Sequence, residues 1–221
     1  MIILRKREGN IMCETKKFSC GDCGVTNCNS MDSKYPEFCL TTHMDENVKA
    51  AAMAVYEDET NRKIMMTAAD IEHEFYCQYS RLEETIEFAK RMGVKKIGIA
   101  TCVGLIRETR MVTRILRHHG FEVYAAACKV GAVSKQDVGI SEECNDCGAN
   151  MCNPVLQAKL LNEAKTDMNI VIGLCVGHDI LFMKNVEAMT TTLVVKDRVT
   201  GHNPAAAIYN AESYYKKKLF K

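Results

Sequence analysis

The chain has 221 residues, 47% of them hydrophobic and 26% charged, which suits a folded globular protein and excludes a disordered one. Lys plus Arg number 29 against 28 Asp plus Glu. That near-zero balance argues against a dedicated nucleic-acid binder, which carries a basic excess. No run approaches the roughly 18 apolar residues of a membrane-crossing helix, and Met1-Ile2-Ile3-Leu4 ahead of Arg5-Lys6-Arg7 has the wrong order for a signal peptide. A cytosolic (cytoplasmic) protein with no membrane and no nucleic-acid partner is expected.

Three regions follow one another. Residues 1–45 form a cysteine-rich segment with little apolar periodicity, which would need a metal to order it. Residues 46–93 read as helices. Leu82, Thr85, Ile86, Ala89 and Met92 fall at helical spacing, Glu87 and Arg91 make an i,i+4 pair, and Gly93 is a natural C-cap. Residues 94–221 alternate strand and helix. Lys96 to Ala100 is a strand, and a helix with Leu105, Val112, Ile115 and Leu116 follows and closes at Gly120. Phe121 to Ala126 is the second strand. Asn153-Pro154 opens a helix running through Leu156, Leu160 and Ala164. Asn169 to Leu174 and Thr191 to Val195 are the third and fourth strands. This order predicts an α/β fold: a small doubly wound, Rossmann-like, mostly parallel sheet of about four strands, with a helical and cysteine-rich N-terminal extension.

Twelve cysteines are the outlier. A chain of this length needs no disulfide scaffold, and in a reducing compartment clustered cysteines point to metal ligation or thiol chemistry. Two segments share the pattern C-x-D-C-G-x-x-x-C-N. One holds Cys20, Cys23 and Cys28; the other holds Cys144, Cys147 and Cys152 within the insertion 144–152. Each C-x2-C pair sets two thiolates on one turn, and the third Cys completes a three-point grip. Cys39 can supply a fourth ligand to the first motif. No second C-x2-C pair completes a zinc ribbon, so an iron–sulfur cluster such as 4Fe-4S is preferred at each motif, giving two clusters, with zinc as the alternative. Cys13 and Cys77 stand alone without an assigned role.

The remaining cysteines mark strand ends. Cys102, Cys128 and Cys175 follow the first, second and third strands, at the carboxyl edge where doubly wound sheets bind ligands. Lys196, Asp197 and Arg198 follow the fourth strand, with His202 close behind. The expected cofactor site therefore combines Cys102, Cys128 and Cys175 with Cys144, Cys147 and Cys152. His178 and Asp179 are candidate acid–base groups, and Lys196, Arg198 and His202 are candidate groups for orienting an anionic substrate. No Walker lysine or G-x-G-x-x-G turn supports nucleotide binding.

Several stretches carry a resemblance. They are Cys152-Asn153-Pro154 with Gln157-Ala158, Gly173-Leu174-Cys175-Val176-Gly177-His178-Asp179, and Val195 through Pro204. The first cysteine motif and Gly98 through Leu105 add to them. From about Cys20 to Tyr209 the chain resembles the uncharacterised, cysteine-rich "predicted metal-binding protein" family, a domain of unknown function, of anaerobic bacteria and archaea. The resemblance implies metal binding and an anaerobic setting and supplies no reaction. The sequence is compatible with a redox or sulfur-transfer enzyme, whose partner is a small anionic substrate or a redox protein. The polar set at the strand ends favours that reading; the alternative is a non-enzymatic electron carrier, a metal chaperone or store, or a zinc-stapled thiol protein. Monomer and dimer are both permitted.

Overall fold

The computed structural model describes residues 18–221. Cys13 and the Arg5-Lys6-Arg7 run lie outside them. The described chain divides into two compact units between Ile64 and Met65.

In the first unit, Ser19 opens a 3-10 turn over Cys20–Asp22, and irregular chain leads to α1 (Glu46–Ala54), whose N-cap Asp45 accepts the Asn47 N–H. Phe18 stacks on Phe38 with ring centroids 5.2 Å apart. Among the described residues of this unit, Cys39 alone is buried. Helix α2 (Glu59–Phe75) runs across the boundary.

The second unit holds helices α3 (Arg81–Met92), α4 (Ile106–His118), α5 (Pro154–Glu163) and α6 (His178–Asn185), the short α7 (Ala205–Tyr209) and α8 (Lys216–Leu219), and four strands. These are β1 (Lys96–Thr101), β2 (Glu122–Ala127), β3 (Met168–Ile172) and β4 (Met189–Val194), in the order β2-β1-β3-β4 with every pair parallel. Ser80 and Glu83 form a capping box at the start of α3, and Gly93 ends it in the left-handed region. Arg91 pairs with Glu87 at 2.8 Å, as the sequence suggests, and also grips Glu74 of α2.

Strand alternation sorts side chains to two faces. Ile97, Ile99, Ile170 and Ile172 pack on one face against Ile86, Ala89, Val112 and Leu116 of α3 and α4. Ala100, Ala126 and Val171 pack on the other against Ala158, Leu161 and Phe182 of α5 and α6. The second face is lined with small residues, so its helices approach closely. A Cβ on Gly98 would lie 2.0 Å from Asn169 Oδ1 and 2.9 Å from Leu161 Cδ1.

The third strand stops two residues earlier than the apolar run predicts. Gly173 turns the chain out with φ +64°, and a Cβ there would meet Leu105 Cδ1 at 2.1 Å. The fourth starts two residues earlier, because Met189 and Thr190 pair with Met168 and Asn169. No helix among the described residues is long and apolar enough to cross a membrane.

Replacing Gly98 with Ala should destabilise the second unit by about 3 kcal/mol, the upper range for overpacking a filled core. Urea unfolding should show a lower midpoint at an unchanged slope.

Candidate functional site

The strand ladder continues beyond the strands at their carboxyl ends. The Cys102 N–H donates to the Ile172 carbonyl at 3.1 Å, and the Cys128 N–H to the Thr101 carbonyl at 2.8 Å. Since Thr101 pairs with Ala127, Cys102 and Cys128 come next, side by side. The Val103 N–H donates to Cys128 Sγ at 3.3 Å. Cys128 is buried, while Cys102, Cys152 and Cys175 are half-buried.

Cations approach two of these sulfurs. Lys196 Nζ donates to Cys102 Sγ at 3.5 Å, and Arg198 Nη2 donates to Cys175 Sγ at 2.8 Å. Cys102 and Cys147 also lie within electrostatic reach of Arg198. The carboxyl edge therefore carries Cys102 with Lys196 and Cys175 with Arg198, and Cys128 beside Cys102, all within residues 65–221.

The acidities of Cys102 and Cys128 are pushed in opposite directions. The hydrogen bond from Cys128, with the Gly104 amide and Lys196 adding to it, pulls the Cys102 thiol from its ordinary 9.0 down to about 5 despite partial burial. The same pairing with Cys102, burial and the nearby Cys152 push the Cys128 thiol up. The partly exposed sulfur is thus the more acidic of the two.

The excursion between β2 and α5 presents the second cysteine motif. Ser134 and Asn150 form an antiparallel bridge, and the Lys135 N–H reaches the Ala149 carbonyl at 3.1 Å. The Lys135 side chain is buried and its ammonium holds the Cys144 carbonyl. Lys129 holds the Asn150 carbonyl in the same way. The Asn153 N–H returns to the Cys128 carbonyl at 2.8 Å, which brings Cys152 to Cys128. Asn153 then caps α5, accepting the Leu156 N–H at 2.9 Å. Cys144 and Cys147 themselves are exposed.

The other candidate residues have local partners. Asp179 Oδ1 accepts the Ile180 N–H at 2.8 Å, and the His178 N–H donates to the Cys175 carbonyl at 2.9 Å. Asp197 accepts the Val199 and Thr200 amides, and those hydrogen bonds, Thr200 foremost, hold its carboxyl below the usual carboxylate range. His202 Nδ1 accepts the Asp197 N–H at 3.2 Å. Asp197 and His202 thus shape the loop that carries Arg198.

In the first unit, Cys23 Sγ accepts the Val25 N–H at 3.4 Å. Hydrogen bonds from Thr42, with Thr41 adding to them, lower the Cys39 thiol below its ordinary value.

Two residues of the second unit support the site in ways the sequence did not assign. Lys135 sits in a polar loop, where nothing signals burial. Gln157 carried a signal: Pro154, Gln157, Ala158 and Leu161 share one helical stripe, and all four are buried. Gln157 Nε2 donates to the Thr101 carbonyl at 3.0 Å and the Ala126 carbonyl at 2.7 Å. It ties α5 to the ends of β1 and β2, directly before Cys102 and Cys128.

The sequence profile of a family described as "Protein of unknown function (DUF1847)" matches residues 39–193. The chain belongs to this family. An uncharacterized protein of Methanocaldococcus jannaschii is 50% identical over 164 residues, covering 74% of this chain and 83% of that protein. The description of DUF1847 names neither a metal nor a reaction. The DUF1847 match takes in the cysteines from Cys39 to Cys175 and leaves Cys20, Cys23, Cys28, Lys196 and Arg198 outside it.

In chelator-treated protein, alkylation of Cys102 should reach its plateau by about pH 6 and fall away below about pH 5, following the thiolate fraction. An ordinary thiol would still be climbing at about pH 8. Cys128→Ala should move the midpoint upward further than Lys196→Ala does. Peptide-resolved iodoacetamide kinetics across pH would read this.

Proposed function

We propose that this protein holds a thiolate-ligated metal centre, in first place an iron–sulfur cluster, at the carboxyl edge of its sheet. The observation that carries the reading is that Cys102 and Cys128 follow neighbouring strand ends and the Asn153 N–H, next to Cys152, returns to the Cys128 carbonyl, while Lys196 and Arg198 donate to the sulfurs of Cys102 and Cys175. All the described cysteines are free of disulfides.

The donor chemistry fits. Thiolates are soft ligands that select iron–sulfur clusters or zinc over hard cations. Cys102, Cys128, Cys152 and Cys175 would be the inner donors, with Cys147 and Cys144 on the overlying loop. Among the described residues, no three Cys, His, Asp or Glu side chains are already gathered as a metal site. Loading therefore requires the side chains to close. Lys196 and Arg198 would offset the negative charge of the assembled thiolates. A cluster supplies electron transfer or an iron able to accept a substrate atom.

The residues around the site favour redox or sulfur-transfer chemistry. Arg198 and Lys196 would bind a small anionic substrate, and half-buried His178 is available to handle protons. Asp197 and His202 would position Arg198 through their loop. A carrier or metal store would need the sulfurs and not this polar set.

Cys20, Cys23, Cys28 and Cys39 would hold a second centre in the first unit, as a structural staple or electron relay. The hydrogen bonds from Thr42 and Thr41 to the little-exposed Cys39 support thiolate character at that residue. Zinc is the alternative metal here.

Anaerobically purified protein should contain several irons per chain, matched by acid-labile sulfide, with a broad visible absorption band. Cys102→Ser or Cys128→Ser should remove one portion of the iron, and Cys23→Ser the other. Zinc without sulfide would overturn the iron–sulfur reading. His178→Ala should keep the metal and lose turnover; loss of the metal would make His178 a ligand or support.

A further inference from the structure

We infer that Cys102 and Cys128 are a redox-active dithiol that closes to a disulfide on reaction with small-molecule disulfides. The geometry is set by the backbone. Thr101 and Ala127 pair in parallel register, and the ladder runs one residue further through the Cys128 N–H and the Thr101 carbonyl. Neighbouring strands lie about 4.8 Å apart, within the roughly 4.4–6.8 Å Cα separation that a disulfide spans. In-register neighbours point to one face, so the two side chains leave the sheet side by side.

The two thiols differ in access, which fixes their order of action. Cys102 is half-buried, with the Lys196 ammonium 3.5 Å from its sulfur. Cys128 is 2% exposed, with the Val103 N–H 3.3 Å from its sulfur. A reagent reaches Cys102 first.

The Cys102 thiolate attacks one sulfur of a disulfide such as oxidised glutathione. The Cys102–glutathione bond forms, the glutathione S–S bond breaks, and one glutathione thiolate leaves. Cys128 then gives up its proton and attacks the Cys102 sulfur. The protein disulfide forms and the second glutathione leaves, one of the two departing as thiol with the Cys128 proton. Two protein thiols are oxidised and one glutathione disulfide is reduced. The consequence for metal loading rests on the reading above: a closed disulfide removes two of its inner donors.

The test uses full-length, chelator-treated protein in glutathione buffers of increasing oxidised fraction, then alkylation and peptide mapping without reduction. A Cys102–Cys128 cross-link that dithiothreitol reverses is expected. Cys128→Ser should stop at a glutathione adduct on Cys102, and Cys102→Ser should leave Cys128 unmodified. Should either variant fail to fold, Cys152→Ser must still give the cross-link. A Cys128–Cys152 link instead, modification of Cys128 without Cys102, or independent alkylation of both thiols in every buffer would overturn the inference. Iron, zinc and sulfide measured on an untreated portion keep the two readings apart. Cross-linking in a protein that never held metal sinks the metal centre alone, and metal binding without cross-linking sinks the dithiol alone. Where both stand, the metal-loaded protein should oxidise at least about tenfold more slowly, since bound metal withholds the thiols.

Discussion

Three backbone hydrogen bonds past the strand ends set the position of everything at the site. Cys102 is tied to Ile172, Cys128 to Thr101, and Gly173 to Val194. Because all four strands are parallel, these bonds fall on one edge. The chain then departs in opposite directions: β1 feeds α4 on one face, and β3 feeds α6 on the other. Divergence of adjacent strands opens the crevice in which doubly wound sheets place their ligands. Here the crevice falls between the ends of β1 and β3, where Cys102 and Cys175 leave the sheet.

Core packing and site assembly are linked through the less bulky face. Gly98, Ala100, Ala126 and Ala158 let α5 lie close to the sheet. That closeness lets Gln157 reach two strand-end carbonyls with one amide group. It also brings the start of α5 to the carboxyl edge, so that Asn153, the helix cap next to Cys152, returns to the Cys128 carbonyl. A bulkier side chain on this face would displace a helix and, with it, a thiol.

Most of the fold was legible because its signals are local. The Ile-rich runs, the Gly93 cap and the Asn153-Pro154 opening each act within a few residues. Strand ends were less so: Gly173 ends β3 through a contact with Leu105, nearly seventy residues away in the chain, and no apolar pattern encodes that. Three cysteines at strand ends were readable because parallel topology brings strand ends together. Their contacts were not, since these depend on register. The two copies of the cysteine motif look alike in sequence and differ in surroundings. One lies in a segment with almost no buried residue, and the other is pinned by buried Lys135. His202 was readable as a candidate from its place behind the fourth strand, while the hydrogen bond from the Asp197 N–H to its Nδ1 is a loop contact that no sequence pattern encodes.

The cations at the edge fit a sulfur-rich site better than general surface charge would. The chain as a whole is nearly neutral, so the pairing of one cation with each of two sulfurs is local. Lys196 brings a compact charge to Cys102, and Arg198 a planar fork to Cys175. Both leave the same strand end, β4, and both residues lie within a loop fixed by Asp197 and His202. Bringing several thiolates together costs mutual repulsion, which grows as water is excluded. Cations already in place lower that cost whether the sulfurs stand free or bind metal. On the proposed reading the same two residues would serve a free thiolate and a thiolate-ligated centre alike, which is the electrostatic reason that one edge could support both chemistries.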